Sequence, residues 1–196
     1  MKTKMNQNNH DEIPTFVQCL IGSLMLDKQI YRQFNHNAAL ILRALATVSI
    51  TGLSMAITMK YTITQNESAS QFLDFQMMAV AFSTVLVGWM MWSFITKVIC
   101  QLMGSKNELR DKMRSIGIAY VPGPLITLAM IPVLGEYILF LVWIWILATS
   151  TRSIQVTEQM HPLKALSISL VGWFLSWILL PVLMLGNYFY VQNPSL

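Results

Sequence analysis

The chain has 196 residues, 55% of them hydrophobic and only 11% charged, with a formal net charge of +4. A soluble domain carries about 25% charged residues, so this composition could not cover a water-facing surface, and the mean hydropathy of +0.53 points to a protein whose solvent is largely lipid. The small charge, scattered between apolar segments rather than gathered into a basic arm, speaks against a nucleic-acid binder.

A bilayer core about 30 Å thick needs roughly 20 apolar residues as helix. Residues 1–37 read as a cytoplasmic N-terminal segment. Within it the run 13–26 is apolar but too short to span. Phe16, Leu20 and Leu24 recur there at helical spacing, with Val17 and Ile21 beside them and Asp27, Lys28 and Arg32 following. An amphipathic helix over 13–34, lying in the membrane interface, fits that pattern. Asp11, Glu12 and the lack of a small-residue cleavage site argue against a signal peptide.

Residues 38–196 read as a transmembrane bundle. The first span, 38–59, is broken only by Arg43, close enough to the cytoplasmic side to snorkel to the headgroups. The second is 75–95. The stretch 116–150 is apolar throughout but punctuated by Pro122-Gly123-Pro124 and again by Pro132 and Gly135. Proline removes a backbone donor and clashes with the preceding turn. Two short segments, 116–131 and 137–150, therefore replace one long helix, either crossing a thin region or forming a re-entrant hairpin. The last span is 165–185, with Pro181 in its final turn. The expected fold is all-α, a polytopic helix bundle of about five spans with a short, proline-broken third and fourth hairpin.

Orientation follows from the loops. Twelve of the thirteen Lys and Arg fall on one side and only Lys60 on the other. The positive-inside rule then predicts a cytoplasmic N-terminus and an outside C-terminus. Tyr61, Tyr137, Tyr188 and Tyr190 fall near the outer interface.

Chemistry-bearing residues are few. No nucleophile elbow, zinc-protease helix or phosphate loop occurs, and no cofactor is implied. Cys19 and Cys100 match no metal or redox spacing, and His10, His36 and His161 are far apart. Asp74, Lys97 and Glu136 sit at the ends of spans, none at the mid-depth an ion-coupled transporter would use. The structural breaks are Pro122, Gly123, Pro124, Pro132 and Gly135. Such breaks bind solutes in transporters or simply aim the chain, and without carboxylates nearby the second reading is favoured. Gly52 and Ala56, and Ser169, Gly172 and Ser176, form small-residue faces for close helix packing, internal or between two copies. Lys106, Arg110, Lys112 and Arg114 make a basic loop. Anionic lipid accounts for it at about 1 kcal/mol per charge, and a docked protein is the sharper alternative. Asn66-Glu67-Ser68 matches a glycosylation sequon on the outer side.

Taken together, Leu102-Met103-Gly104, Gly117-Ile118-Ala119-Tyr120-Val121-Pro122-Gly123-Pro124, Ile131-Pro132-Val133-Leu134-Gly135 and Trp143-Ile144-Trp145, closed by Lys164-Ala165-Leu166, resemble the Yip family of multi-pass membrane proteins. The resemblance is strongest over 94–165. It implies a five-span bundle without known enzymatic activity. Eukaryotic members are Rab adaptors and membrane-shaping scaffolds with a long Pro- and Gln-rich cytosolic head. The short head here speaks against Rab-type GTPase binding and resembles the compact prokaryotic branch, in the cytoplasmic (inner) membrane. The function expected is a non-enzymatic scaffold, adaptor or accessory subunit, partnered by the bilayer and by another membrane protein or a second copy. The alternative is a component of a small-solute or ion transporter or channel.

Overall fold

The computed structural model describes residues 15–36, 40–64 and 71–176. Among these every regular element is helical and none is a strand. The α-helices are α1 (Phe16–Leu24), α2 (Lys28–His36), α3 (Ile41–Thr64), α4 (Gln71–Leu102), α5 (Leu109–Ala119), α6 (Gly135–Thr157) and α7 (Pro162–Phe174), with a 3₁₀ segment, Gly123–Met130, between α5 and α6. Three helices are long and apolar enough to cross a membrane, over Ile41–Thr62, Phe75–Leu102 and Gly135–Thr157. The chain is an all-helical membrane protein.

Several boundaries differ from the sequence reading. The second long helix continues through Lys97 to Leu102, where a Schellman turn ends it. Gly104 adopts φ +91°, and the Ser105 and Gly104 amides bond the Cys100 and Gln101 carbonyls at 2.9 and 3.0 Å. The segment 137–150 is part of a longer helix. α6 has 23 residues, about 35 Å at 1.5 Å per residue, and carries Arg152 within it. The segment 116–131 is not one helix. α5 starts inside the charged loop, where the Glu108 amide bonds Asp111 Oδ2 at 2.9 Å, and it ends at Ala119 ahead of Pro122. Residues 177–196, including the end of the 165–185 span, lie outside the described residues, as do the sequon and residues 1–14.

The single helix expected over 13–34 is a helical hairpin. Thr15 caps α1, its Oγ1 accepting the Gln18 amide while its own amide bonds the Gln18 side chain. Leu26, at φ +59°, ends it, and Asp27 Oδ1 accepts the Gln29 amide to start α2. The hairpin is docked on the bundle. Cys19, Ser23 and Tyr31 are fully buried, Cys19 and Tyr31 in a cluster with Leu40, Ile118 and Val156. Tyr31 donates to the Ser23 carbonyl at 3.0 Å, and Ser23 Oγ donates to the Ile118 carbonyl at 3.0 Å. Burial pushes the Tyr31 phenol up. Arg43 does not simply snorkel: its Nη1 reaches Cys19 Sγ at 3.5 Å. Arg152 Nε donates to the Leu26 carbonyl at 3.2 Å, a cation at the C-terminal end of α1.

The main core joins α3, α4, α5 and α6 around Val48, Trp89, Trp92, Ile116, Tyr120, Ile126 and Ile146. The small-residue faces are used inside the chain. A Cβ on Gly172 would lie 2.9 Å from Trp92 Cγ and one on Gly52 2.8 Å from Phe82, while Ser176 Oγ donates to the Gly88 carbonyl at 2.9 Å. Leu42, Leu53, Phe94, Phe140, Leu141 and Phe174 are exposed, as lipid-facing residues are.

Candidate functional site

The broken arm formed by α5 and the 3₁₀ segment is the most specialised part of the fold. Its backbone departs from the α-helical ladder after Ala119, where Pro122 and Pro124 offer no i+4 amide, and the Ile118 and Tyr120 carbonyls accept the Val121 and Gly123 amides instead. Side chains from four other helices reach in. Trp89 Nε1 donates to the Met113 carbonyl at 3.1 Å, Ser153 to Ser115 at 2.7 Å, Ser23 to Ile118 at 3.0 Å and Thr149 to Ala119 at 2.6 Å. Thr51 donates to the Tyr120 carbonyl at 3.0 Å and Thr58 to Ile126 at 3.2 Å. Satisfying freed groups with neighbouring hydroxyls is how a membrane bundle tolerates a broken helix.

The break residues Pro122, Gly123 and Pro124 lie against α3. A Cβ on Gly123 would fall 2.7 Å from Thr51 Cβ, and closer still to its Oγ1 and Cγ2, so only glycine lets the arm approach this far. Pro132 and Gly135 sit at the far turn, where Gly135 abuts the Ala129 carbonyl. Val133 takes φ +69° there.

The basic loop divides. Lys106 and Arg110 are exposed. Lys112 is only 1% and Arg114 only 7% exposed, paired with Glu158 and Asp111 respectively. Asn107 Nδ2 also donates to Glu158 Oε1, at 2.6 Å. Burial pulls the Lys112 ammonium down to about 8, opposed by neighbouring Cys100 and Asp111. These two cations serve the interior, and of the four only Lys106 and Arg110 are exposed.

Two cavities flank the arm. The larger, about 760 Å³, lies at the far turn among Thr58, Tyr61, Thr62, Glu136 and Tyr137. The other, about 430 Å³, lies at the charged end among Cys100, Ser105, Glu158, His161 and Lys164. Between these levels Ile116, Ile118, Tyr120 and Ile126 are fully buried. No group of His, Cys, Asp and Glu able to hold a metal occurs among the described residues.

Sequence reasoning missed Glu158, Asn107 and the hydroxyl donors. Thr149, Ser153 and Thr157 recur every four residues along α6, and Thr47, Thr51, Thr58 and Thr62 share a face of α3. Those stripes were the available signal. Cys19 and Cys100 are separate buried thiols, with burial pushing the Cys19 thiol up against the nearby Arg43.

No protein-family model, curated protein or solved structure matches the chain.

Proposed function

We propose that this chain is a five-span, non-enzymatic membrane scaffold or accessory subunit, rather than a conduit. The observation that carries this reading is the closure of the break. The carbonyls that a broken helix would offer to an ion or substrate, those of Ile118, Ala119, Tyr120 and Ile126, accept Ser and Thr donors from within the protein. No carboxylate joins them, and the core between the two cavities is packed.

The arm's register supports five spans. Ser115 pairs with Ser153, Ala119 with Thr149, and Gly135 abuts Ala129. The arm runs antiparallel to α6 at these levels, which supports a reading in which it crosses beside α6. The positive-inside rule puts the Lys- and Arg-rich end in the cytoplasm. The resemblance over 94–165 favours a compact prokaryotic protein of the inner membrane, docking a membrane partner through the exposed Lys106 and Arg110. Rab-type GTPase binding is not part of the reading.

One observation favours the transporter alternative. Trp92 Nε1, Thr96 Oγ1, Ser150 Oγ and Ser169 Oγ are buried without a partner. Ser176 meeting Gly88, Gly172 meeting Trp92, and Ala165 clustering with Cys100 and Ile154 set them at neighbouring levels of the α4, α6 and α7 junction. The decisive experiment pairs a mild-detergent pull-down with flux assays in liposomes across an ion and metabolite panel. A stoichiometric partner lost on Lys106→Glu with Arg110→Glu, and no flux, is the expected result. Saturable flux without a partner would overturn the scaffold reading.

A further inference from the structure

The cavity of about 430 Å³ at the charged end has an uneven electrostatic lining. α4 and α6, both long enough to cross a membrane, end beside it at Leu102 and Thr157, so it lies at headgroup depth. Its surroundings are apolar and uncovered, with Leu102 84% and Leu163 67% exposed.

One wall is cationic. Lys164 is exposed, and neither ion pair among the described residues involves it. His161 Nδ1 accepts the Leu163 amide at 3.3 Å, so a neutral ring keeps its proton on Nε2 as a donor. The first-turn amides of α7 are already bonded: Leu163 to the ring, Lys164 and Ala165 to the His161 carbonyl. Recognition of an anion here falls to the two side chains.

Another part of the lining is rich in acceptors. Glu158 lines the cavity and Lys112 does not. Glu158 Oε1 takes both Lys112 and Asn107, leaving Oε2 as an acceptor. The C-termini of α4 and α6, negative ends of their dipoles, flank this part of the lining.

We propose that this cavity binds the zwitterionic headgroup of an aminophospholipid, with phosphate at Lys164 and His161 and ammonium toward Glu158. A purely anionic headgroup has no donor to offer Glu158 Oε2 or the carbonyls at the two helix C-termini, whereas an ammonium does. The inference rests on the membrane character of the chain and is independent of the scaffold reading.

The full chain, delipidated in detergent, is titrated with phosphatidylethanolamine, phosphatidylglycerol and soluble phosphoethanolamine, and bound species are read by native mass spectrometry. Phosphatidylethanolamine is expected to be retained most tightly. Lys164→Gln, an exposed change, weakens that retention about fivefold, the factor one cationic contact at a headgroup supplies, whereas Lys28→Gln, an equally exposed change away from the cavity, leaves it intact. Equal or tighter retention of phosphatidylglycerol overturns the proposal. So does soluble phosphoethanolamine binding as tightly as the lipid, or retention that Lys164→Gln does not change.

Discussion

Gly123→Ala is the sharpest perturbation of the arm. The new methyl carbon would stand 2.7 Å from Thr51 Cβ and closer to that residue's Oγ1 and Cγ2. Either the arm retreats from α3 or Thr51 rotates. Rotation sacrifices the hydroxyl that donates to the Thr47 and Tyr120 carbonyls, each at 3.0 Å. Overpacking costs about 1–3 kcal/mol and a lost hydrogen bond about 1 kcal/mol more, so a loss of about 3 kcal/mol is expected. Thr51→Ala alone removes the hydrogen bond and loses about 1 kcal/mol. In the double variant the methyl has room, so the two losses are sub-additive by about 2 kcal/mol. Reversible unfolding in mixed detergent–SDS micelles measures all four corners of this cycle. A single variant within about 0.5 kcal/mol of the parent, or strictly additive losses, would refute the claim that the arm's seat on α3 depends on a missing side chain.

Glu158→Gln strands the buried Lys112 ammonium and should destabilise by about 3 kcal/mol at neutral pH, whereas replacing both partners by Met is near neutral; the same unfolding assay separates the two. Burial holds Lys112 near 8 in the folded state against about 10.4 unfolded. The folded state thus binds fewer protons between those values, and stability rises with pH across that window. Unfolding midpoints measured from pH 7 to 10.5 should show the rise, and Lys112→Met should flatten it. Arg152→Met removes the donor to the Leu26 carbonyl and loosens the N-terminal hairpin by about 1 kcal/mol; hydrogen exchange should quicken over 16–36 while α6 stays protected. On the five-span reading, a cysteine at Glu136, in a chain whose Cys19 and Cys100 are changed to serine, reacts with an impermeant maleimide from outside. Protection there with labelling from inside would sink it.

The long helices were legible because a continuous apolar run is a local property, readable without knowing any neighbour. The interruption at Pro122 was legible for the same reason. The end of α6 was not. Arg152, Ser153 and Thr157 look like loop residues in a hydropathy profile, yet they continue the helix because the Leu26 and Ser115 carbonyls receive two of them from elsewhere in the chain. The basic loop misled in the same way. Lys112 reads as a surface cation until Glu158, 46 positions later, is brought against it. The docked hairpin also depended on distant partners, Ile118 for Ser23 and Arg152 for Leu26. In each case the local signal was polar and the deciding contact was long-range.

The donors that complete the broken arm come from both sides of it in the sequence. Ser23, Thr51, Thr58 and Trp89 emerge from the ribosome before residues 109–130, but Thr149 and Ser153 emerge after them. The nascent arm must therefore wait with the Ala119 carbonyl unanswered until Thr149 arrives with α6. It has to stay in a hydrated vestibule or under an insertase's shelter for that interval, because lipid offers no substitute donors. On the five-span reading, biogenesis couples the third crossing to the fourth: they enter the bilayer as a pair, and truncation after Met130 leaves a chain that quality control should recognise and degrade.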